Sequence, residues 1–284
     1  MLNRRHLLAA CTLGLPAVIH AVPSKRVVCV SGALTEIVYA LGGESMLVGR
    51  DSTSVFPAAA QALPDVGYMR TLSAEGLLSL APTLILATED AGPPAVLRQL
   101  EAARIPLHVL RSEHRFEGLL ARVERVGALI GREAAALALA QTLRADWQQA
   151  LATVRQLSQG EQRPPRVLFV LAHNMAQLRI AGTGTAADAV IGYAGARNAL
   201  SEVPGYKQLT PEAAVAAAPD VILTTTEGVQ TAGGVDRLLQ VPGLAQTPAG
   251  RARRVASFDA LALLGFGPRL AQLLPRLAEA LHQR

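Results

Sequence analysis

Residues 64–88 read Pro64-Asp-Val-Gly-Tyr-Met-Arg-Thr-Leu-Ser-Ala-Glu-Gly-Leu-Leu-Ser-Leu-Ala-Pro-Thr-Leu-Ile-Leu-Ala-Thr88. A degraded copy, Val203-Pro-Gly-Tyr-Lys-Gln-Leu-Thr-Pro-Glu-Ala-Ala-Val-Ala-Ala-Ala-Pro-Asp-Val-Ile-Leu-Thr-Thr225, lies in the second half. In both, a Gly-Tyr precedes a Glu near the start of a short helix. A proline forbids the helix from continuing, and an apolar run long enough for a buried strand follows. Glu75 to Pro82 and Glu212 to Pro219 have the same spacing. The shared scaffold predicts two lobes of one design. The differences point to the ligand, because Arg70 follows Tyr68 by two residues while Lys207-Gln208 replaces Met69-Arg70 in the copy.

Working outward, strands are expected at 27–30, 46–49, 83–87 and 107–110. Helices are expected from Thr35-Glu36 to Gly42-Gly43, over 74–80 after the cap Ser73, and over 93–103. Strands alternating with helices imply a parallel sheet covered on both faces, with ligands beyond the carboxyl ends of the strands. Loops at Ser31, Asp51 and Tyr68 would meet at that edge. From Phe116 to Ser158 the apolar positions recur at helical spacing, interrupted at Gly131. A helix over 133–158 would span about 40 Å, enough for a stiff spine between two α/β units. A second set of strands and helices starts at 167–171 and ends in a helix from about 268, with Pro275 inside it. The expected fold is therefore α/β: two similar Rossmann-like lobes joined by a long rigid α-helix, with a ligand cleft between them. The expected divisions are a leader (1–21), an N-terminal lobe (22–113), a helical linker (114–160) and a C-terminal lobe (161–284).

Of the 284 residues, 50% are hydrophobic and 17% charged, a globular balance. The pI near 9.8 could suggest nucleic acid. However, the bases are scattered and only 4% of residues are aromatic, which argues against a platform for stacked bases. Subtracting Arg4 and Arg5 from 27 bases leaves 25 against 22 acids. Those two arginines open a basic, then apolar leader with a cleavage point near His20-Ala21, so an exported protein is expected. The signal is of the general secretory type or, from Arg4-Arg5, of the twin-arginine type. Leu8-Ala9-Ala10-Cys11 spells a lipobox, but the apolar run before it is short for a lipoprotein. Cys29 would then stand alone as a packed small hydrophobe, leaving no disulfide and no cysteine metal site. No Gly-x-Ser-x-Gly elbow, His-Glu-x-x-His helix or phosphate loop is present, so no enzyme is expected.

The layout resembles the substrate-binding proteins of ATP-driven importers whose lobes are joined by one rigid helix. Within that class it is similar to the haem-binding branch. The stretches that carry this are Ser31-Gly-Ala-Leu-Thr-Glu36, Gly67-Tyr-Met-Arg-Thr-Leu-Ser-Ala-Glu-Gly76, Gly184-Thr-Ala-Ala-Asp188 and Leu263-Leu-Gly-Phe-Gly-Pro-Arg269. The resemblance implies capture of ferric haem b in the periplasm and its delivery to a permease dimer with its ATPase. The haem would come from an outer-membrane haem receptor, and the carrier would act as a monomer. A ferric siderophore or cobalamin is the alternative cargo. A phenolate is a hard oxygen ligand suited to ferric iron, and Tyr is among the axial ligands of haem. The resemblance makes Tyr68 that ligand and Arg70 its hydrogen-bonding partner. His173 is a further iron contact, to this or a second stacked haem, or else a cleft-lining residue; Met175 is a flexible wall beside it. Arg179 is a candidate for a haem propionate. Glu75 and Glu212, one on each lobe, would dock on arginines of the permease. Tyr206, lacking the arginine, is expected to pack or hydrogen-bond, and His108 and His114 to be ordinary loop or strand-end residues.

Overall fold

The short apolar runs become strands buried on both faces. The computed structural model describes residues 25–172, 175 and 177–283; the leader, Cys11 and His173 lie outside them. In the first sheet β1 (Val27–Val30) stands between β2 (Leu47–Arg50) and β3 (Leu84–Thr88), and β4 (Leu107–Leu110) is the outer strand beside β3. All these pairings are parallel. Parallel neighbours require crossovers, supplied here by α1 (Gly32–Ala40), α2 (Ala74–Ser79) and α3 (Pro94–Ala102). Covering both faces is why all five residues of β3 are buried instead of alternating.

Two helices leave this sheet, α4 (Phe116–Ile130) and α5 (Glu133–Leu157). Gly131, left-handed at φ 73°, ends the first. The two cross closely, since a Cβ on Gly127 would stand 2.4 Å from that of Ala136.

The second sheet centres on β5 (Arg166–Leu171). Beside it lie β6 (Arg179–Ala181), antiparallel, and β7 (Arg197–Asn198), parallel, while β8 (Tyr206–Gln208) pairs antiparallel with β6. On its other side come β9 (Val221–Thr225) and β10 (Val255–Phe258), both parallel. The helices are α6 (Ala186–Tyr193), α7 (Pro211–Ala217), α8 (Thr226–Ala232), α9 (Val235–Leu239), α10 (Pro248–Arg251), α11 (Ala260–Leu264) and α12 (Leu270–His282).

Two expectations are corrected. The second sheet is mixed rather than parallel, because β6 and β8 are too short to show a period in sequence. Helix α1 begins at Gly32 rather than near Thr35, and Thr35 and Glu36 are buried within it. The repeat survives in backbone detail. Ala81 and Ala218, each before its proline, both adopt positive φ, at 43° and 40°. An L-residue pays for that conformation only where the chain demands it, here to turn from helix into strand.

The lobes share one core. Phe116 of α4 stacks on Trp147 of α5 at 4.6 Å between ring centroids, and Tyr193 of α6 meets that indole edge-on at 4.8 Å. The Tyr193 hydroxyl also accepts the Phe116 N–H at 3.3 Å. Such pairs contribute about 0.5–1.5 kcal/mol beyond their burial. Beyond the aromatic hub, Glu36 of the first lobe accepts both the backbone N–H and Nε of Arg269, each at 3.1 Å. Arg269 also reaches Asp259 at 3.2 Å and lies 3.8 Å over the Phe56 ring.

Candidate functional site

A cleft of about 440 Å³ lies between the lobes at the carboxyl ends of the strands. Every loop that leaves the first sheet contributes: Gly32 after β1, Thr53 after β2, Asp90 after β3 and His114 after β4. From the second lobe come Glu227 after β9 and α11 with Phe266 after β10. Its lining is mainly apolar, with Met69, Val55, Leu261 and Leu264 among the walls. That suits a large flat hydrophobic ligand fixed by a few polar groups.

Asp51, fully buried, builds the rim beside Tyr68. Its carboxylate accepts from Thr53 N at 3.0 Å, Thr53 Oγ1 at 2.6 Å and Ser54 Oγ at 2.7 Å. Burial pushes the Asp51 carboxyl above its usual range, opposed by these donors. Thr53 Oγ1 in turn accepts the Gly32 N–H at 3.0 Å. Gly32 is required by closeness: a Cβ there would lie 2.5 Å from the Thr53 carbonyl oxygen and 2.8 Å from Leu261 of the other lobe.

Tyr68 follows Gly67, whose φ of 91° turns the chain outward. Ser52 donates to the Gly67 carbonyl at 3.0 Å, Thr71 to that of Tyr68 at 2.8 Å and Gly92 to that of Met69 at 2.8 Å. The backbone is held while the side chain stays free, and Tyr68 is 42% exposed within the cleft. The Arg70 guanidinium donates to Asp90 at 2.7 Å, so in this structure its partner is that carboxylate.

Across the cleft, Tyr206 on β8 is half-buried, and burial raises its pKa against the lowering effect of Arg70 and Arg179. Arg179 donates to the Tyr206 carbonyl at 3.0 Å and lies 5.7 Å from its ring centre. Arg179 is thus engaged on β8 and is not part of the cleft lining. Met175 packs against the core on one face of the second sheet. Glu75 and Glu212 are exposed at the starts of α2 and α7, away from the cleft.

The structure adds residues the sequence reading passed over. His114 is a cleft residue instead of a plain loop residue: its ring lies 5.4 Å from Phe266, and burial lowers its pKa, favouring neutral imidazole. Arg122 of α4, 5% exposed, forms part of the floor and donates to the Phe266 carbonyl at 2.6 Å. Thr88 Oγ1 and Arg122 Nε, both buried along the cleft, have no hydrogen-bond partner among the described residues. Only the Asx-type loop at Asp51-Ser-Thr-Ser54 carries a local signal, an acid followed by hydroxyls. The others depend on which loops the fold brings together.

Comparisons with known proteins agree with this fold. The family model described as "Periplasmic binding protein" matches residues 27–261. The chain is similar to the periplasmic heme-binding protein RhuT from Roseiflexus sp. RS-1, at 40% identity and a TM-score of 0.87, covering 91% of this chain and 98% of that one. It is similar at 48% identity and a TM-score of 0.86, with the same coverage, to the periplasmic heme-binding protein BhuT in complex with two hemes. An uncharacterized ABC transporter substrate-binding lipoprotein of Bacillus subtilis (strain 168), YvrC, is 26% identical over 91% of this chain and 80% of its own length.

Proposed function

The chain belongs to the periplasmic binding protein family, and from that premise we propose that it captures haem in the periplasm and hands it to an ABC importer. It is a binding protein and performs no reaction. The observation that carries the cargo is Tyr68, held by its backbone at the cleft edge with its side chain exposed among apolar walls. A phenolate oxygen presented there can take ferric iron, and the walls can cover the porphyrin faces. The heme-binding neighbours support this cargo over a siderophore or cobalamin.

In this reading Tyr68 is the iron ligand and Arg70 its partner, once the guanidinium turns from Asp90 to the phenolate. His173 and Met175 are second-lobe candidates for a further haem or iron contact, and Arg179 meets a propionate only once its guanidinium leaves Tyr206. Glu75 and Glu212 meet a two-fold permease, one from each lobe, where complementary charge orients the loaded carrier. Among the described residues no helix is long and apolar enough to cross a membrane. The divisions near residues 113 and 160, export through a cleaved leader, monomeric action and supply from an outer-membrane receptor belong to the same proposal.

The test is titration of hemin into the purified protein. A saturable Soret band is expected, with a marked change of band position in Tyr68→Phe. An unchanged spectrum in that variant removes the ligand assignment. Absence of saturable hemin binding, with cyanocobalamin binding in the same assay, overturns the cargo.

A further inference from the structure

We propose that the floor of the cleft is a carboxylate subsite centred on Arg122, which takes an acidic edge of the cargo; the inference rests on the haem reading above. Arg122 lines the cleft although it is 5% exposed, and its Nε has no partner among the described residues. Its Nη2 donates to the carbonyls of Phe266 at 2.6 Å and Gly265 at 3.5 Å, which are dipoles and not charges. Among the described residues Glu113 is the one acid acting on it through space, and that carboxylate is already bonded to Arg115 at 2.6 Å. Arg111 and Arg125 share an outer groove with Arg122 and add charge of the same sign.

Burial pushes the Arg122 guanidinium down to about 10, so it remains a cation at neutral pH in a place that disfavours one. A buried cation without a counter-charge is destabilising, and an incoming carboxylate accepting from Nε relieves that directly. The chemistry of the cargo matches. Haem carries two propionates on one edge, its iron at the centre and apolar faces between. Arg122 and Tyr68 line the same cleft with Leu264 and Phe266. Arg179, by contrast, spends its guanidinium on Tyr206.

The experiment compares hemin with hemin dimethyl ester, in which both propionates are capped, on the wild-type protein, Arg122→Met and Arg122→Lys. The wild type is expected to prefer hemin by tenfold or more. In Arg122→Met the preference should fall below threefold, with affinity for the ester little changed, and Arg122→Lys should retain part of it. Equal wild-type affinity for acid and ester overturns the subsite even if the methionine variant fails to fold. So does a preference that survives in Arg122→Met or, should that variant not fold, one undiminished in Arg122→Lys. Thermal stabilisation by inorganic phosphate that needs Arg122, without any ester discrimination, would move the anion to the outer groove and also overturn it. If neither hemin nor its ester binds, the cargo reading falls, whereas tight binding without discrimination removes this inference alone.

Discussion

Asp220, at the entrance to β9, collects three donors: Arg163 Nη1 at 2.7 Å, Arg163 Nη2 at 2.9 Å and the Arg166 N–H at 2.8 Å. The Arg163 bonds, and then the Arg166 amide, hold its carboxyl below the usual range. A carboxyl depressed by folding contributes fully above its unfolded value, near ~3.9, and loses that contribution as pH falls through the folded value. Asp220→Asn is therefore expected to lower Tm by about 2–4 °C at pH 7. The gap from wild type should close as pH drops below about 4, in a thermal-shift series across pH. Cys29 offers a second residue-scale test. It is fully buried, and desolvation pushes its thiol up to about 12. Maleimide labelling of Cys29 in the protein without its leader should be negligible until denaturant is added. Burial of Cys29 could be read from its apolar neighbours. The bonds at Asp220 could not, since Arg163 lies 57 positions away.

Among elements, the corner between α4 and α5 is the most tightly specified. Any side chain at Gly127 meets the Ala136 Cβ at 2.4 Å and the Arg132 carbonyl oxygen at 3.2 Å. Gly127→Val should push the helices apart and cost about 1–3 kcal/mol in urea denaturation, where the same substitution at open, exposed Gly192 on α6 should not. The short helices α2 and α7 make a different statement. Each carries an exposed acid, Glu75 or Glu212, and one turn later an exposed apolar side chain, Leu78 at 37% or Val215 at 44%. Glu75→Lys with Glu212→Lys should abolish haem-dependent uptake in a reconstituted importer while leaving the hemin titration unchanged. These helices were legible because proline, cap residue and apolar run sit next to each other in the chain. The ribbon of β6 and β8 was not, because three-residue strands take their identity from partners and not from a pattern.

At the scale of the whole molecule, the two matched motifs Ser31–Glu36 and Leu263–Arg269 turn out to be halves of one joint. Arg269→Ala would leave Glu36, whose side chain is 4% exposed, without its counter-ion, costing about 3–5 kcal/mol of stability. Burial already raises the Glu36 pKa, with Arg269 opposing. Adding Glu36→Gln to that variant should restore part of the loss in chemical denaturation. The Tyr68 edge of the cleft could be read because Tyr68, Met69 and Arg70 are neighbours in sequence. His114, Asp90 and Arg122 lie on separate segments, and only the folded loops bring them to one cleft.

The shared aromatic hub and this joint together leave the lobes little freedom to swing. Loaded and unloaded forms would therefore present almost the same outline to a membrane complex that recognises shape and surface charge. An unloaded copy then occupies the gate as readily as a loaded one and blocks it while bound. In proteoliposomes, uptake at fixed hemin should rise with added protein, peak near saturation of the ligand, and fall beyond it. Flux would be governed by the ratio of cargo to carrier, so that overproducing the carrier under haem scarcity slows import.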